Sequence, residues 1–480
     1  TASITITEYM LNNNPPVFAY SGDSAANTLA GWDEFTSWQG CGYNNIDSNS
    51  FAHGTTCGTN LNQFEASNIH KAWAFFDSTN TAFLSGLGEF IAVLANGCDT
   101  GHFEFSVKGS VGLVKTYGNL GADSGIDNSY DYGAHCNSVA GIAAADYNNN
   151  AGSVDAANEV MGVAYNAGLH FTDRTQYGST LMFTYFANSL DDARNITVSS
   201  GSFAGNYSAV AQNNSWGTSI DYDDMNASYK GYVDDGTYSW SELFGAVFQS
   251  GSVTSANTTA LTNYITALNN FQTTGTIVFA TGNDTNETDI QVMAALPEYF
   301  NQLSEAWLAV GYVDLKGTSI TAGNITQEGN PCGIAKEYCL MAYANMMNAP
   351  AHYDGTSYYL GNLSNVISGV TVSGPQLAGG GSSYASPMVS GAIALLAQAF
   401  PNHTPEQLTD RVLATANNTW FSHQGATTFI NGITHGYHTT WGHGLLDVYA
   451  ALTPVNSSAY SASSIPTGIT LRGNGNWNLG

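Results

Sequence analysis

The segment GGGSSYASPMVSGAIALLAQAF, residues 379–400, combines residue types that suit nucleophilic chemistry. Its glycines form a loop that delivers Ser383 to the start of a helix, and Pro387 stands in the first turn of that helix. Proline is tolerated there because the first N–H groups of a helix need no intrahelical partner. A serine in this place lies in positive potential, beside N–H groups that can stabilise an oxyanion. An ordinary capping serine is the alternative, but the full string is much rarer than a cap.

Apolar runs that end in turn residues predict the framework around this segment. Such runs are typical of strands buried in a parallel sheet. They are EFIAVLANG from Glu89, VAGIAAA after His135, AVAQNNSWG from Ala209, GTIVFATGN from Gly275 and AWLAVGYVD from Ala306. Helical stretches are predicted at 254–271 and 386–400. Alternation of strands and helices over more than 300 residues predicts an α/β fold with a doubly wound parallel sheet.

The two ends of the chain differ from this framework in composition. Residues 1–85 are rich in Asn, Gly and Ser, and they predict an N-terminal extension packed on the core, with a short helix near 68–76. The α/β domain is predicted at 86–452. The chain then turns to Ser, Pro, Gly and Asn, which predicts a C-terminal linker at 453–480.

Composition excludes several classes of function. The 480 residues include 10 Lys and Arg against 37 Asp and Glu, which gives a net charge of −27. A nucleic-acid binder is excluded because phosphate neutralisation needs clustered basic residues, and an anionic membrane would repel this chain. The sequence has no run of 18 apolar residues, so no membrane-spanning helix is predicted. The composition favours an extracellular protein.

Six cysteines, an even number without a CxxC pair, favour disulfides over zinc. Cys332 and Cys339 bracket the short segment CGIAKEYC, which predicts a local bridge. Cys41 and Cys57 enclose a Gly-, Asn- and Ser-rich stretch and are predicted to pair. That assignment leaves Cys98 with Cys136.

The segment around Ser383 resembles the nucleophile motif of the subtilisin family of serine proteases, and other segments follow in the family's order. His135, in YGAHCNSVAGIAAA, matches the general base, which in the family begins a helix packed on the sheet. The chain departs from the family pattern at Cys136, Asn137 and Ser138, which directly follow the base. A structural histidine is the usual alternative, but the matched Val-Ala-Gly favours the catalytic role.

The same resemblance assigns the oxyanion hole and a substrate-binding edge. GTIVFATGN matches the segment that carries the oxyanion-hole asparagine, which implies this role for Asn283, with the N–H of Ser383 as the second donor. NNSWG, with Ser215, Trp216 and Gly217, resembles the edge strand that pairs with an extended peptide substrate. A core aromatic is the alternative for Trp216.

Within this family the chain most resembles the passenger domains of Gram-negative autotransporters. The segments that carry this likeness are AALPEYF, AWLAV, CGIAKEYC, LTDRVLATA and WGHGLLD. The resemblance implies protein or peptide substrates, a location outside the cell or on a bacterial surface, and an outer-membrane barrel beyond this chain. It implies no cofactor for the chemistry.

One member of the expected Ser/His/Asp triad is missing from the matched segment. IAVLANGCDTGHFEF resembles the strand that ends in the catalytic Asp, and Asp99 and His102 match polar positions, but Ala95 stands where the acid belongs. A methyl group cannot accept the N–H of the base, so the resemblance implies a nearly inactive enzyme. An engineered Asp→Ala replacement is favoured over natural decay because the other motifs are intact. If Ala95 and His135 face each other, Cys98 and Cys136 are near enough to bridge.

Two alternatives to this interpretation follow from the same residues. Asp123 in GADSGID is an alternative acid, although no buried strand precedes it and only 12 residues separate it from His135. A dead protease scaffold that serves as a surface adhesin or filament subunit is the alternative function.

Weaker signals concern metals and specificity. The loops DYNNNAGSVD from Asp146 and DYDDMN from Asp221 are candidate sites for structural calcium, with solvated loops as the alternative. The spacing of His435, His438 and His443 fits no helical ligand face, so no zinc is assigned. Asp284 and Trp216 are candidates for the specificity pocket.

Overall fold

The computed structural model describes residues 18–20, 63–73, 75–77, 84–98, 100–120, 135–146, 161–317, 319–344, 350–353, 358–360, 380–429, 432–453 and 469–471. Its strands, in chain order, are β1 (Phe18–Tyr20), β2 (Phe75–Asp77), β3 (Phe90–Ala95), β4 (Val114–Tyr117), β5 (Gly168–Asp173), β6 (Ile196–Val198), β7 (Gly205–Tyr207), β8 (Ala209–Asn214), β9 (Thr276–Ala280), β10 (Trp307–Leu315), β11 (Ile325–Gln327), β12 (Cys339–Tyr343), β13 (Pro350–Tyr353), β14 (Tyr358–Leu360), β15 (Gly425–Thr428), β16 (Thr434–Tyr437) and β17 (Ile469–Leu471).

The α-helices alternate with these strands. They are α1 (Gln63–Ala66), α2 (Ile69–Ala72), α3 (Ser106–Ser110), α4 (His135–Ala144), α5 (Met182–Ala193), α6 (Tyr222–Asp234), α7 (Trp240–Val247), α8 (Ser255–Phe271), α9 (Ser382–Ala399), α10 (Pro405–Thr415) and α11 (Val448–Leu452). Local capping explains two of the boundaries. Thr254 accepts the N–H of Asn257 before α8, and Thr404 and Gln407 form a capping box before α10.

Eight strands form the central sheet, in the order β11-β10-β9-β8-β3-β5-β4, and β12 also pairs with β10. The pairing of β10 with β11 is antiparallel and the other pairings in this sheet are parallel. The predicted α/β class with a mostly parallel sheet flanked by helices is confirmed.

Both faces of this sheet are covered, which explains its continuous apolar runs. Successive side chains of a strand point to opposite faces. On one face, Ile91 and Val93 of β3 belong to the same buried cluster as residues of α4 and α9. On the other face, Phe90 and Leu94 pack in a cluster with residues of α5 and α8.

One prediction about secondary structure is wrong. The run VAGIAAA is not a strand but part of helix α4. A helix buried all round has no polar stripe, so hydrophobic periodicity cannot distinguish it from a buried strand. The short helix predicted near 68–76 is present as α2, but it is shorter than predicted because Phe75–Asp77 forms strand β2.

Residues before position 86 contribute to the main core. Phe64, Ile69 and Trp73 are buried in the cluster that contains α4 and α9. The Trp73 indole donates to the carbonyl of Val163 at 2.8 Å, and Asn68 donates to Asp447 at 2.9 Å. Within the described ranges, no helix has both the length and the apolar character that a bilayer span requires.

Candidate active site

The carboxyl ends of β3, β8 and β9 meet at one edge of the sheet because these strands are adjacent and parallel. Ala95 is the last residue of β3, Ser215 directly follows β8, and Asn283 lies in the turn after β9. Open α/β sheets bind their ligands at this edge. Topology therefore gathers three positions that are far apart in the sequence.

Ser383 stands at this edge as the second residue of α9. It is half-buried, whereas Ser382 and Ser386 of the same turn are 1% and 0% exposed. Its Oγ donates to the carbonyl of Ser215 at 3.3 Å. The first turn of α9 thus presents the Ser383 hydroxyl in the positive field of a helix N-terminus.

The amide of Asn283 is anchored to the same turn. Its Oδ1 accepts hydrogen bonds from the N–H and the Oγ of Ser382, each at 2.8 Å. A backbone N–H can only donate, so the amide oxygen must face Ser382, and Nδ2 remains as a donor for a ligand. Gly381 makes this approach feasible, because its φ is 135° and a Cβ there would lie 3.1 Å from Oδ1. An anchored N–H donor beside a serine suits oxyanion stabilisation.

A hydrogen-bond network of buried polar side chains holds the backbone of Ser383 in place. The Ser215 hydroxyl donates to the carbonyl of Ser383 and lies 2.8 Å from the hydroxyl of Ser386. Asn213 donates to Ser215 at 2.8 Å and accepts from Ser390 at 3.2 Å. This network was not predicted from the sequence. The four-residue spacing of the serines at 382, 386 and 390 was the available signal, because it places them on one face of the helix.

The predicted substrate-binding residues divide between the core and the edge. The Trp216 side chain is 8% exposed and packs between Phe186 and Phe279, at centroid distances of 5.3 and 5.4 Å. Its indole donates to Asn214 at 3.1 Å. The alternative of a core aromatic therefore describes this side chain. The prediction of an edge strand is wrong, because β8 lies between β3 and β9 in the sheet. Ser215 is buried and Gly217 is half-buried just beyond the end of β8, and backbone pairing of this segment with a substrate stays a prediction.

His135 begins α4 and is half-buried. Two links fix this helix start at the end of β3. The N–H of Cys136 donates to the carbonyl of Asn96 at 3.0 Å, and Cys136 forms a disulfide with Cys98 across a Cα–Cα distance of 4.9 Å. The predicted Cys98–Cys136 bridge is confirmed, and it holds His135 beside the strand that ends in Ala95.

Helices α4 and α9 are also linked directly. The Tyr384 side chain, next to Ser383, hydrogen-bonds Ser138, one turn beyond His135. Gly391 lets the helices approach closely, since a Cβ there would lie 2.9 Å from the carbonyl oxygen of Ala143. The segments that carry Ser383 and His135 are therefore packed against each other.

Ala95 ends β3 with a fully buried methyl group. Its carbonyl accepts the N–H of Arg174 at 3.0 Å, and its register partner on β5 is Asp173. Asp173 is 2% exposed, and its Oδ1 accepts from the N–H and Oγ1 of Thr175 at 2.9 and 2.7 Å. Asp173 was not predicted from the sequence because GLHFTD is not a continuous apolar run.

Several predicted positions lie outside the described residues. They are Asp99, Asp123, Cys41 and Cys57. His102 is described and fully buried, and its Nδ1 accepts the N–H of Glu104 at 3.2 Å.

A family model described as the subtilase family, Peptidase_S8, matches residues 86–433, which is more than half of the chain. The chain is a subtilase. No curated protein matches it. Family membership therefore rests on the match at 86–433.

Three solved structures are similar to this subtilase at low sequence identity. A mutant of the protease domain of PatA is 17% identical, with a TM-score of 0.44 over 77% of this chain and 95% of that chain. PagA, a prenylagaramide maturation protease, is 16% identical, with a TM-score of 0.43 over 76% and 93%. Fervidolysin from Fervidobacterium pennivorans, a keratinolytic enzyme related to subtilisin, is 20% identical, with a TM-score of 0.45 over 77% and 43%.

The loop that carries Asn283 in this subtilase is braced by the buried Asn330. The Asn330 N–H donates to the Gly282 carbonyl at 3.2 Å, and its Oδ1 accepts the N–H of Asp284 at 3.0 Å. Its Nδ2 donates to Asp221 Oδ1 at 3.2 Å. Asn330 was missed because no recognisable motif surrounds it.

Asp221 is part of an acidic group at this brace. Burial is the main factor that raises its pKa, from 3.8 to about 7, and the hydrogen bond and charge of Glu287 and the charges of Asp224 and Asp289 act in the same direction. The folded chain therefore holds a proton at Asp221, between about pH 4 and about pH 7, that the unfolded chain does not bind.

The free energy of unfolding should consequently contain a component that falls as the pH rises from about 4 to about 7. Asp221→Asn cannot ionise, so we expect this variant to lose that component and to gain stability relative to the parent at about pH 8. Urea unfolding of both proteins at about pH 5 and about pH 8 measures the difference. An identical pH dependence in the two proteins would contradict the raised pKa of Asp221.

The fold brings together two of the three histidines singled out in the sequence. His435 and His443 are fully buried, and their Nδ1 atoms lie 2.9 Å apart, whereas His438 directly follows β16 and is not part of this pair. Desolvation lowers the pKa of His435 to about 3. In the described part of the chain, no group of three or more His, Cys, Asp or Glu side chains has the arrangement of a metal site.

The second predicted local bridge is also confirmed. Cys332 and Cys339 form a disulfide with a Cα–Cα distance of 5.8 Å. This bridge spans the segment before β12, and the N–H of Cys332 donates to the carbonyl of Thr440 at 3.1 Å.

Proposed function

We propose that this subtilase is a serine endopeptidase that cleaves exposed, extended segments of proteins by an acyl-enzyme mechanism. The observation that carries the proposal is the anchoring of the Asn283 amide oxygen to Ser382, the residue before Ser383, which leaves the Asn283 Nδ2 as a donor. A nucleophile and a preorganised oxyanion donor are the parts that acyl transfer requires.

The proposed mechanism assigns one step to each group. Ser383 Oγ attacks the peptide carbonyl while His135 takes its proton. Asn283 Nδ2 and the N–H of Ser383 donate to the oxyanion of the tetrahedral intermediate. His135 then protonates the leaving amine, and water hydrolyses the acyl-enzyme with His135 as the base. An extended substrate pairs along Ser215–Gly217, and Asp284 at the loop surface contributes to specificity.

Ala95 limits this activity in our proposal. The carboxylate that should orient His135 and stabilise its imidazolium is replaced by a buried methyl group. An engineered Asp→Ala exchange accounts for one loss among otherwise intact motifs. The chain as it stands is therefore a protease of very low turnover.

The location of this protease, outside the cytosol, is a further part of the proposal. Two disulfides within the described residues are typical of proteins that fold outside the reducing cytosol. They support a secreted or surface-exposed protease, as expected of an autotransporter passenger with a barrel outside this chain. Structural calcium is a proposal for the loop that begins at Asp221, whereas the Asp146 carboxylate is held by Lys108 and by two backbone N–H groups.

Labelling with a fluorophosphonate tests the nucleophile. We expect the Ala95→Asp variant to react at Ser383, because phosphonylation needs an activated serine and an oxyanion hole. The combined Ala95→Asp/Ser383→Ala variant should not react, whereas Ala95→Asp/Ser304→Ala should, since Ser304 lies before the start of β10, away from the carboxyl ends of the strands. Peptide mapping of the adduct locates the label, and a label at another serine would overturn the assignment.

Ala95 also favours a second candidate function, a catalytically dead scaffold that acts as an adhesin or filament subunit. Such a protein needs its fold and surface but no acid behind His135. The two functions predict different outcomes for Ala95→Asp, because a scaffold whose site has decayed further gains no fluorophosphonate reactivity. Alanine at this position in the native gene and in close relatives would favour the scaffold.

Removal of the Cys98–Cys136 bridge should affect both stability and turnover. With a sequence separation of 38, loss of this cross-link is expected to lower the free energy of unfolding by about 4 kcal/mol. The kcat of a Cys98→Ala/Cys136→Ala variant in the Ala95→Asp background should also fall, because the bridge positions His135.

The other disulfide provides the matched control for that prediction. Cys332→Ala/Cys339→Ala, with a separation of 7, should lose about 2.5 kcal/mol but retain kcat. Urea unfolding and peptide hydrolysis are measured on both variants. Equal losses of kcat would show that the first bridge acts through stability and not through the position of His135.

A further inference from the structure

Lys108 and Asp146 form an ion pair that is sealed from solvent. The Lys108 Nζ lies 2.7 Å from Asp146 Oδ1, and the two side chains are 2% and 4% exposed. Lys108 is in α3, and Asp146 lies two residues beyond the end of α4. Fully buried lysines are rare because the transfer of an ammonium group from water is costly.

A second buried residue with a carboxyl group, Glu104, is close enough for its charge to act on Lys108. Glu104 is 0% exposed, its carbonyl accepts the N–H of Asp146 at 2.8 Å, and its charge acts on Lys108. Burial is the main factor that lowers the pKa of Lys108, and Asp146 and Glu104 oppose that shift. An amine with a lowered pKa is more readily available as a nucleophile.

The remaining hydrogen bonds at this site fix both reacting groups. Asp146 Oδ2 accepts the N–H groups of Val107 and Lys108 at 2.9 and 3.2 Å. Lys108 Nζ also donates to the carbonyl of Tyr165. Asp146 Oδ1 is therefore the oxygen that faces the amine, and Oδ2 is held by two N–H donors of the kind that stabilise an oxyanion.

We propose that Lys108 and Asp146 condense to an intramolecular isopeptide bond, with Glu104 as the proton carrier. Lys108 Nζ gives one proton to Glu104, which passes it to Oδ1, so that a neutral amine attacks Cγ of a neutral carboxyl group and negative charge develops on Oδ2. The nitrogen then gives a second proton to Oδ1 through Glu104, the Cγ–Oδ1 bond breaks as the Cγ–Oδ2 double bond forms again, and Oδ1 leaves as water. The ammonium and the carboxylate thus become one neutral amide and one water, and no oxidant or external energy source is needed.

The amide product suits the buried surroundings better than the ion pair does, because it keeps the hydrogen bonds and carries no charge. The amide oxygen keeps the donors Val107 and Lys108, and the amide N–H keeps the Tyr165 carbonyl. Two buried charges disappear, which removes their desolvation cost. Fixed reactants correspond to effective concentrations of about 10⁵–10⁸ M, so condensation can proceed although water is released.

Intact-mass spectrometry of the unmodified chain tests this inference without any variant. After reduction and unfolding, the mass should lie below the sequence mass by one water, about 18 Da. Exhaustive digestion should then yield a branched peptide that joins Lys108 to Asp146. A full sequence mass, or a mass loss without that branched peptide, overturns the proposal.

Three variants test the separate roles of the Lys108 amine, the Asp146 carboxyl group and Glu104. Lys108→Arg keeps the charge but has no primary amine, and its mass should equal its sequence mass. Asp146→Asn should lose ammonia, about 17 Da, in place of water. Glu104→Gln should form the bond more slowly, as followed by mass after synthesis. Because this bond is independent of the proposed protease activity, a chain that never cleaves peptides would still carry it.

Discussion

Replacement of Ala95 by Asp is expected to raise kcat/KM for peptide hydrolysis by about 10⁴-fold, the scale of the loss known for this carboxylate in subtilisin itself. The residue ends β3 next to the helix start that carries His135. A carboxylate there accepts the His135 N–H, selects the tautomer with a free acceptor for Ser383, and stabilises the imidazolium. Initial rates with a fluorogenic peptide, before and after the substitution, measure the effect.

Two controls distinguish a restored triad from a change in side-chain shape and from a contaminating protease. Ala95→Asn has nearly the same shape as Ala95→Asp but no charge, and it should recover far less activity. Ala95→Asp/Ser383→Ala should show none, which excludes the contaminant. A folded Ala95→Asp protein with an unchanged rate would show that position 95 is not the acid. Loss of the residual activity in Asp123→Ala would then assign the acid to Asp123.

Removal of the Asn283 side chain is expected to lower kcat by about 10²–10³-fold, again a magnitude measured in subtilisin. The experiment uses Asn283→Ala in the Ala95→Asp background. The Asn283 amide oxygen is held by Ser382, and in the proposed mechanism its Nδ2 donates to charge that exists only in the transition state. KM should therefore change little, because the substrate ground state lacks the oxyanion.

The same loop offers a matched control. Asn286 is exposed, and its N–H and Nδ2 donate to Asp284 at 2.9 Å. Asn286→Ala removes an amide from the loop without touching Ser382, so kcat should be retained. A rise in KM with unchanged kcat in Asn283→Ala would place this side chain in substrate binding and not in oxyanion stabilisation.

The sequence predicted those structural features whose signal lies within one short segment. The apolar runs of β3, β8, β9 and β10 were recognised because each strand is buried on both faces. The short spacing of Cys332 and Cys339 predicted their bridge for a similar reason. The helix start at Ser383 followed from a glycine-rich loop before an apolar run.

Other features are set by partners that are distant in the chain. Periodicity could not show the helical state of VAGIAAA in α4, because burial on all sides removes the pattern that distinguishes helix from strand, and only the family resemblance implied a helix there. The position of Asp173 next to Ala95 could be recognised only from the register of β5 with β3. Asn330 and its contacts to the Asn283 loop span 46 residues or more, and no local pattern encodes them.

The fold class could be predicted from the sequence, as could a serine, a histidine and an asparagine for the candidate site, because runs and motifs are properties of neighbouring residues. The three-dimensional structure was needed to show which atom of Asn283 is bound by Ser382, what ties His135 to β3, and that Lys108 meets Asp146 in the buried interior. Those outcomes depend on hydrogen bonds and packing between segments that the parallel sheet brings together.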